Sequence, residues 1–251
     1  MKSGLLSVTF RNLSAREILS LASRSELEGI EWGGDVHVPP NDRANAMAIG
    51  RMTLDAGLEV SAYGSYYRLG QEDSGPFEAI LETTRALGTN ILRVWTGREG
   101  SDSADPATRE AVAKDGRRVA ELAAEAGVRI ACEWHANTLT DTADSAERLF
   151  QAVDHPNFLT FWQPRNLQPT EFSLADMDTA LPRLIGLHVF HWDGKTRERL
   201  PLADGSEAWA AYLAKVSKCG DLFASLEFVA DDDPERMVAD AATLREWLSR
   251  V

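Results

Sequence analysis

The stretch Arg129-Ile-Ala-Cys-Glu-Trp-His135 decides how this chain is read. It is a short apolar segment that ends in a carboxylate and an imidazole, with the polar turn 136–141 directly after it. Side chains alternate across a strand, so Ala131, Glu133 and His135 share one face and Ile130, Cys132 and Trp134 the other. An acid and a histidine on an otherwise apolar strand are costly to bury without a partner. Two readings of Glu133 stand open on this stretch alone. It binds a metal or a proton, with His135 facing the same ligand, or it is a buried glutamate satisfied by an arginine. The ends of the other strands decide.

Outward from this segment, strand-like and helical stretches alternate. Strands are expected at residues 5–10, 29–32, 58–63, 90–95, 129–135, 158–162, 184–190 and 222–228. Helices fall between them, with local signals at their ends. Ser14-Ala-Arg-Glu17 reads as a capping box, Pro106 suits a first helical turn, and Gly57, Gly88 and Gly127 suit helix C-termini. Residues 64–75 read as a long polar loop carrying Tyr66, Tyr67 and Arg68, and a shorter helix is expected at 174–181. Eight strand–helix units in 251 residues average about 31 residues each, the count and length of a (β/α)8 TIM barrel. With no linker or break in composition, one domain spanning 1–251 is expected. A doubly wound open sheet would want a glycine-rich phosphate turn after the first strand, and Arg11-Asn-Leu-Ser14 has none.

In such a barrel, chemistry collects at the C-terminal ends of the strands. Those ends carry Glu31 with His37 in the following loop, Arg93 and Trp95, Glu133 and His135, Gln163, His188 with His191 and Asp193 beyond it, and Glu227. Parity turns His188 and Glu227 inward, because Leu187 and Val189, and Leu226 and Phe228, suit the helix side. Glu133, His188 and Glu227 therefore converge. Two carboxylates and an imidazole make a hard site for one divalent metal ion, Mn²⁺ or Mg²⁺, with Zn²⁺ and Co²⁺ also compatible. Trp95 and Phe190 either wall a pocket or belong to the core, while Trp32, Trp209 and Trp247 are assigned to the core.

Bulk composition narrows the partners. Hydrophobic residues at 44% and charged residues at 26% are those of an ordinary soluble protein, expected in the cytoplasm, and no apolar run is long enough for a membrane span. A net charge of −13 argues against nucleic acid. Cys132 and Cys219 lack metal-finger spacing and read as free thiols. Lys195, Arg197 and Arg199 are either phosphate donors or a solvated loop face. A homo-oligomer is compatible with the sequence.

Nearly the whole chain resembles the xylose isomerase-like TIM barrels of the sugar phosphate isomerase/epimerase family. The likeness rests on Gly29-Ile-Glu-Trp32 with His37-Val-Pro39, Arg93, Glu133-Trp-His135, His188-Val-Phe-His191 and Leu226-Glu227. It implies Glu133, His188 and Glu227 as metal ligands, with a fourth from strand six, and the two glutamates as proton shuttles. His135 and Arg93 would contact a small sugar substrate, with Trp95, Glu31, His37 and His191 as further contacts. The family's Asp-Pro-Gly-Asn on strand six is replaced by Gln163-Pro-Arg-Asn166, which removes one ligand charge. The family's His-x-Lys-Asp becomes His188-Val-Phe-His191, and parity favours His188 over His191 as ligand. The expected activity is a metal-dependent isomerase or epimerase of a sugar derivative, working by α-proton abstraction and an ene-diolate. Alternatives are a keto-sugar or inosose dehydratase or lyase on the same site, or a non-catalytic binding subunit. An apurinic endonuclease on the same barrel is disfavoured by five histidines and the acidic charge.

Overall fold

Eight parallel strands close into a barrel in sequence order. The computed structural model describes residues 1–165 and 168–251. The strands are β1 (Lys2–Leu6), β2 (Gly29–Gly33), β3 (Glu59–Arg68), β4 (Ile91–Trp95), β5 (Arg129–Glu133), β6 (Phe158–Trp162), β7 (Leu184–Val189) and β8 (Phe223–Leu226). The helices are α1 (Ala15–Arg24), α2 (Arg43–Asp55), α3 (Phe77–Leu87), α4 (Pro106–Glu125), α5 (Ala143–Val153), α6 (Thr170–Ala180), α7 (Ser206–Val216) and α8 (Pro234–Leu248). No helix among the described residues is long and apolar enough to cross a membrane.

Local chemistry sets the element ends. Ser14 and Glu17 form the expected capping box, satisfying amides that the first turn of α1 leaves unpaired. Gly88 closes α3 in the left-handed conformation, with φ of 90°. Three boundaries differ from expectation. Residues 7–10 form a 3₁₀ turn instead of continuing β1. Strand β3 runs to Arg68 with an irregular register after Gly64, so Tyr66, Tyr67 and Arg68 stand on a strand end and not in a loop. Gly64 suggested a loop because glycine weakens strands, yet a strand also uses glycine where another group must come close. Helix α6 starts at Thr170, directly after Pro169.

The outward strand faces meet the helices in the main core, where Trp32, Trp162 and Trp209 are fully buried. Trp32 also donates from Nε1 to Thr53 Oγ1 at 3.0 Å, joining β2 to α2. The lumen holds a separate cluster of Ala62, Ala131 and Phe161. Gly186 leaves room for the Phe161 ring, which a Cβ there would overlap. This filling makes an apolar floor below the C-terminal rim and limits polar chemistry to that rim.

Helices α2 and α3 approach closely at Gly50, where an added Cβ would lie 2.9 Å from the Leu87 carbonyl carbon and nearer still to its oxygen. Alanine is favoured over glycine in a helix by roughly 1 kcal/mol, but the backbone clash should outweigh that gain. Gly50→Ala is expected to lower unfolding stability by about 1–3 kcal/mol in urea titration, opposite in sign to helix propensity.

Candidate active site

One buried arginine organises the rim. Arg93, in the middle of β4, donates from Nε to Glu31 Oε1 at 2.5 Å and from Nη1 to Glu133 Oε2. All three side chains are at most 3% exposed. Gly64 of β3 makes this possible. A Cβ there would meet the Arg93 guanidinium and lie 2.8 Å from Glu31 Oε1. Glu133 thus has the arginine partner of the second reading, and it also faces the inward histidine.

That histidine is His188 on β7. Its Nε2 lies 3.2 Å from Glu31 Oε2. Its Nδ1 lies 3.3 Å from Gln163 Oε1, 3.5 Å from Glu133 Oε1 and 3.7 Å from Glu227 Oε2. The ring stacks on Phe161 with centroids 5.1 Å apart, so the lumen floor fixes its plane. One imidazole nitrogen is oriented by a carboxylate while the other faces three oxygen donors. This matches the way a metal-ligating histidine is usually held by an outer carboxylate. The ligand atoms of Glu133, His188 and Glu227 lie within 4.8 Å of one another. Among the described residues Glu227 Oε2 is buried without a hydrogen-bond partner, so the donor set fits a hard divalent cation. Next to it, Phe228 has a φ of 57°, an uncommon conformation for a bulky residue and a source of local strain.

The buried charges separate these acids. Burial alone would raise the Glu133 carboxyl, but the Arg93 charge and His188 outweigh it and hold it well below the usual range. Burial would discharge His188, yet the Glu31 charge and its bonds to Glu133 and Glu31 raise it to about 10. Glu227 is less well compensated, with His188 at 3.7 Å. Burial pushes it up to about 7, with the Glu133 charge adding to the push and the His188 charge opposing it.

The remaining sequence candidates are spread more widely. His135 packs at a tilt of 43° against Trp95 with centroids 4.4 Å apart, and its Nδ1 is 2.7 Å from the Ala136 carbonyl oxygen. A carbonyl only accepts, so Nδ1 carries the hydrogen and Nε2 is left as the basic nitrogen of the neutral ring. Trp95 also stacks with Tyr66 and lies 4.1 Å under the Arg68 guanidinium. His37 packs against the outward Trp32 and hydrogen-bonds the Leu13 carbonyl at 3.0 Å, on the helix side of the wall. His191 packs against Gly205 before α7, outside the cluster around His188. Phe190 is buried and packs against Trp192 and Phe228.

Sequence reasoning did not find Gly64, Tyr66 or Arg68, which the long-loop expectation concealed. It also missed the pairing of Arg165 with buried Asp176, which ties the loop after β6 to α6. Of the Gln163-Pro-Arg-Asn166 segment, Asn166 lies outside the described residues. A cavity of about 470 Å³ opens beside Gln163 and His135 and is also lined by Trp192 and Arg197. A larger one, about 570 Å³, sits at the opposite end of the barrel near Lys2, Glu59 and Arg129, away from the buried acids.

Two outcomes follow from these charges. Arg93→Met leaves Glu31 and Glu133 buried without their cation and should cost about 3–5 kcal/mol, measured by urea unfolding. Glu227 has a folded value above its ordinary 4.5, so the unfolded chain loses that proton first as pH rises. Its ionisation therefore weakens folding between pH 4.5 and about 7, and the penalty levels off above. Glu227→Gln should raise the urea midpoint of the metal-free protein above pH 7, with no difference at pH near 4.

Comparison with known proteins gives this site a family. Residues 19–249 match the family model described as the xylose isomerase-like TIM barrel. A curated relative, 3-dehydroshikimate dehydratase of Bacillus anthracis, is 29% identical over 277 aligned residues, covering 97% of this chain and 96% of the relative. Among solved structures, a probable 3-DHS dehydratase, AsbF, involved in petrobactin synthesis in Bacillus anthracis, aligns with a TM-score of 0.83 at 22% identity. That alignment covers 98% of this chain and 99% of the other. A xylose isomerase-like TIM barrel protein from Mycobacterium smegmatis in complex with magnesium aligns with a TM-score of 0.74 at 14% identity, over 99% and 97% of the two chains. At these identities the structural likenesses establish the fold. The expected isomerase or epimerase activity is corrected by the curated relative, whose name describes a dehydratase, the outcome held as the alternative for the same site. Sequence had not separated the two because both begin by removing an α-proton. By its family match, its closed barrel and the residues at its rim, the chain belongs to the xylose isomerase-like TIM barrel family.

Proposed function

We propose that the chain is a metal-dependent dehydratase of a β-hydroxy ketone of the 3-dehydroshikimate type. The observation that carries this reading is the similarity to a dehydratase along nearly the full length of both chains. The rim is compatible with it, since Arg93 and His188 hold Glu133 as a carboxylate fit to bind a cation. Elimination can be carried by one base.

Glu133, Gln163, His188 and Glu227 would hold a divalent ion, the last three following β6, on β7 and after β8. When bound, such an ion polarises the substrate carbonyl and lowers the cost of removing the neighbouring proton. Glu31 fixes the His188 ring, and Arg93 keeps Glu133 ionised and in place. His135 Nε2 takes the proton α to the carbonyl. The C–H electron pair becomes the new C=C bond as the C–O bond to the β-hydroxyl breaks. The proton held on His135 goes to the departing oxygen, which leaves as water, and His135 returns to its starting state. Trp95 packs beside His135, and Phe161 supports the His188 ring from below.

The test is turnover of 3-dehydroshikimate with added Mg²⁺ or Mn²⁺, followed by the rise in near-ultraviolet absorbance as the ring becomes aromatic. The folded wild type should form the catechol carboxylate and stop on chelation. His135→Asn should lose roughly 10²–10⁴-fold in kcat with its fold intact by circular dichroism. Failure of the metal-loaded wild type to form the aromatic acid refutes the reading.

A further inference from the structure

An acidic protein with three glutamates at its rim has to attract an anion if its substrate is a keto acid, and most cations on that face are already engaged. Arg93 is held by Glu31 and Glu133, Arg165 by Asp176, Arg199 by Asp232 and Arg11 by Asp35. Arg68 lies flat on Trp95 and donates to the Gly97 carbonyl. Among the described residues, the Arg197 side chain has no hydrogen bond or ion pair, and it lines the same cavity as Gln163 and His135.

The loop after β7 holds Arg197 in that place. Residues 192 and 199 pair as an antiparallel bridge, and Leu200 donates to the His191 carbonyl. Within the loop, Asp193 Oδ1 accepts from the amides of Lys195 and Thr196 and from the Thr196 hydroxyl. Arg197 has a φ of 63°, a left-handed conformation that costs an ordinary residue roughly 1–2 kcal/mol and that the closed loop maintains. The three basic residues of this loop are thereby separated. Lys195 and Arg197 are both exposed, but Arg197 lines the cavity beside Gln163 and His135, and Arg199 stacks over Phe228 beside a different one.

We propose that Arg197 is the substrate's carboxylate-binding residue. The proposal rests on the keto-acid dehydratase reading above. Its planar fork matches a carboxylate with two parallel hydrogen bonds. A carboxylate fits better than a phosphate, because Asp102 and Asp141 line the same cavity and would repel a dianion next to a single free guanidinium. Arg197 thus selects among β-hydroxy ketones for those that carry an acid, while the metal-ligand cluster acts on the ketone end.

The experiment is isothermal titration of the magnesium-loaded protein with 3,4-dihydroxybenzoate and with its uncharged methyl ester, run beside turnover of 3-dehydroshikimate. Wild type should bind the acid roughly 10- to 100-fold more tightly than the ester. Arg197→Ala should lose that preference and raise KM far more than it lowers kcat, and Arg197→Lys should recover part of it. An acid preference unchanged in Arg197→Ala overturns the proposal. So does inorganic phosphate displacing the acid more strongly from wild type than from Arg197→Ala at equal saturation, since that marks a phosphate site. Arg197-dependent acid binding without turnover by wild type refutes the dehydratase reading and leaves the carboxylate site standing.

Discussion

The guanidinium of Arg93 is the charge on which the rest of the rim depends. It is buried at the mouth of a barrel whose lower half is filled by Ala62, Ala131 and Phe161, and it bridges glutamates from β2 and β5. Without it, two carboxylates would face each other in a low-dielectric space, where like charges strongly disfavour joint ionisation. With Glu31 and Glu133 ionised, Arg93 and His188 supply two compensating positive charges, and Glu227 can stay protonated. A divalent cation taken up in exchange for the protons on His188 and Glu227 would leave the same neutral balance. The pocket can therefore be stable in both conditions without rearranging its buried groups.

This arrangement divides the labour between fixed and movable charge. Glu31 and Arg93 form contacts that hold other residues, His188 and Glu133, in orientation. Glu227 and His135 remain less committed. Among the described residues one has a buried oxygen without a hydrogen bond, and the other has a ring nitrogen freed by the bond that its twin makes to a backbone carbonyl. Preorganised charge of this kind needs little reorganisation when a substrate's own charge develops, which is where enzymes gain most. Glu31 and Arg93, expected from the sequence as substrate contacts, are engaged with His188 and with each other and Glu133 in this geometry.

The barrel was legible in the sequence because its signals repeat. Eight apolar segments, helix caps such as Ser14 with Glu17, and glycines after helices agreed with one another, so an error at one boundary did not disturb the count. Strand parity also placed Glu133, His188 and Glu227 together, since a barrel turns every second residue inward. What the sequence could not supply was distance between strands. The pairing of Arg93 with Glu31 spans 62 positions, and nothing local to either residue announces it. Strand β3 was truncated at Gly64 because a glycine among tyrosines resembles a turn, and Tyr66 and Arg68 were lost from view with it. His37 misled in the other direction. It sits one loop beyond an inward glutamate, yet it folds back over the outward Trp32.

Gly64 carries a consequence for how such a site can change over generations. Its hydrogen occupies the space that any larger side chain would take from Arg93, so the two positions are not free to vary one at a time. A lineage that replaced Gly64 first would displace the guanidinium and strand two buried acids. One that replaced Arg93 first would strand the same acids and leave a void. The glycine is thus part of the charge network although it bears no charge, and a change at either position is felt at the other.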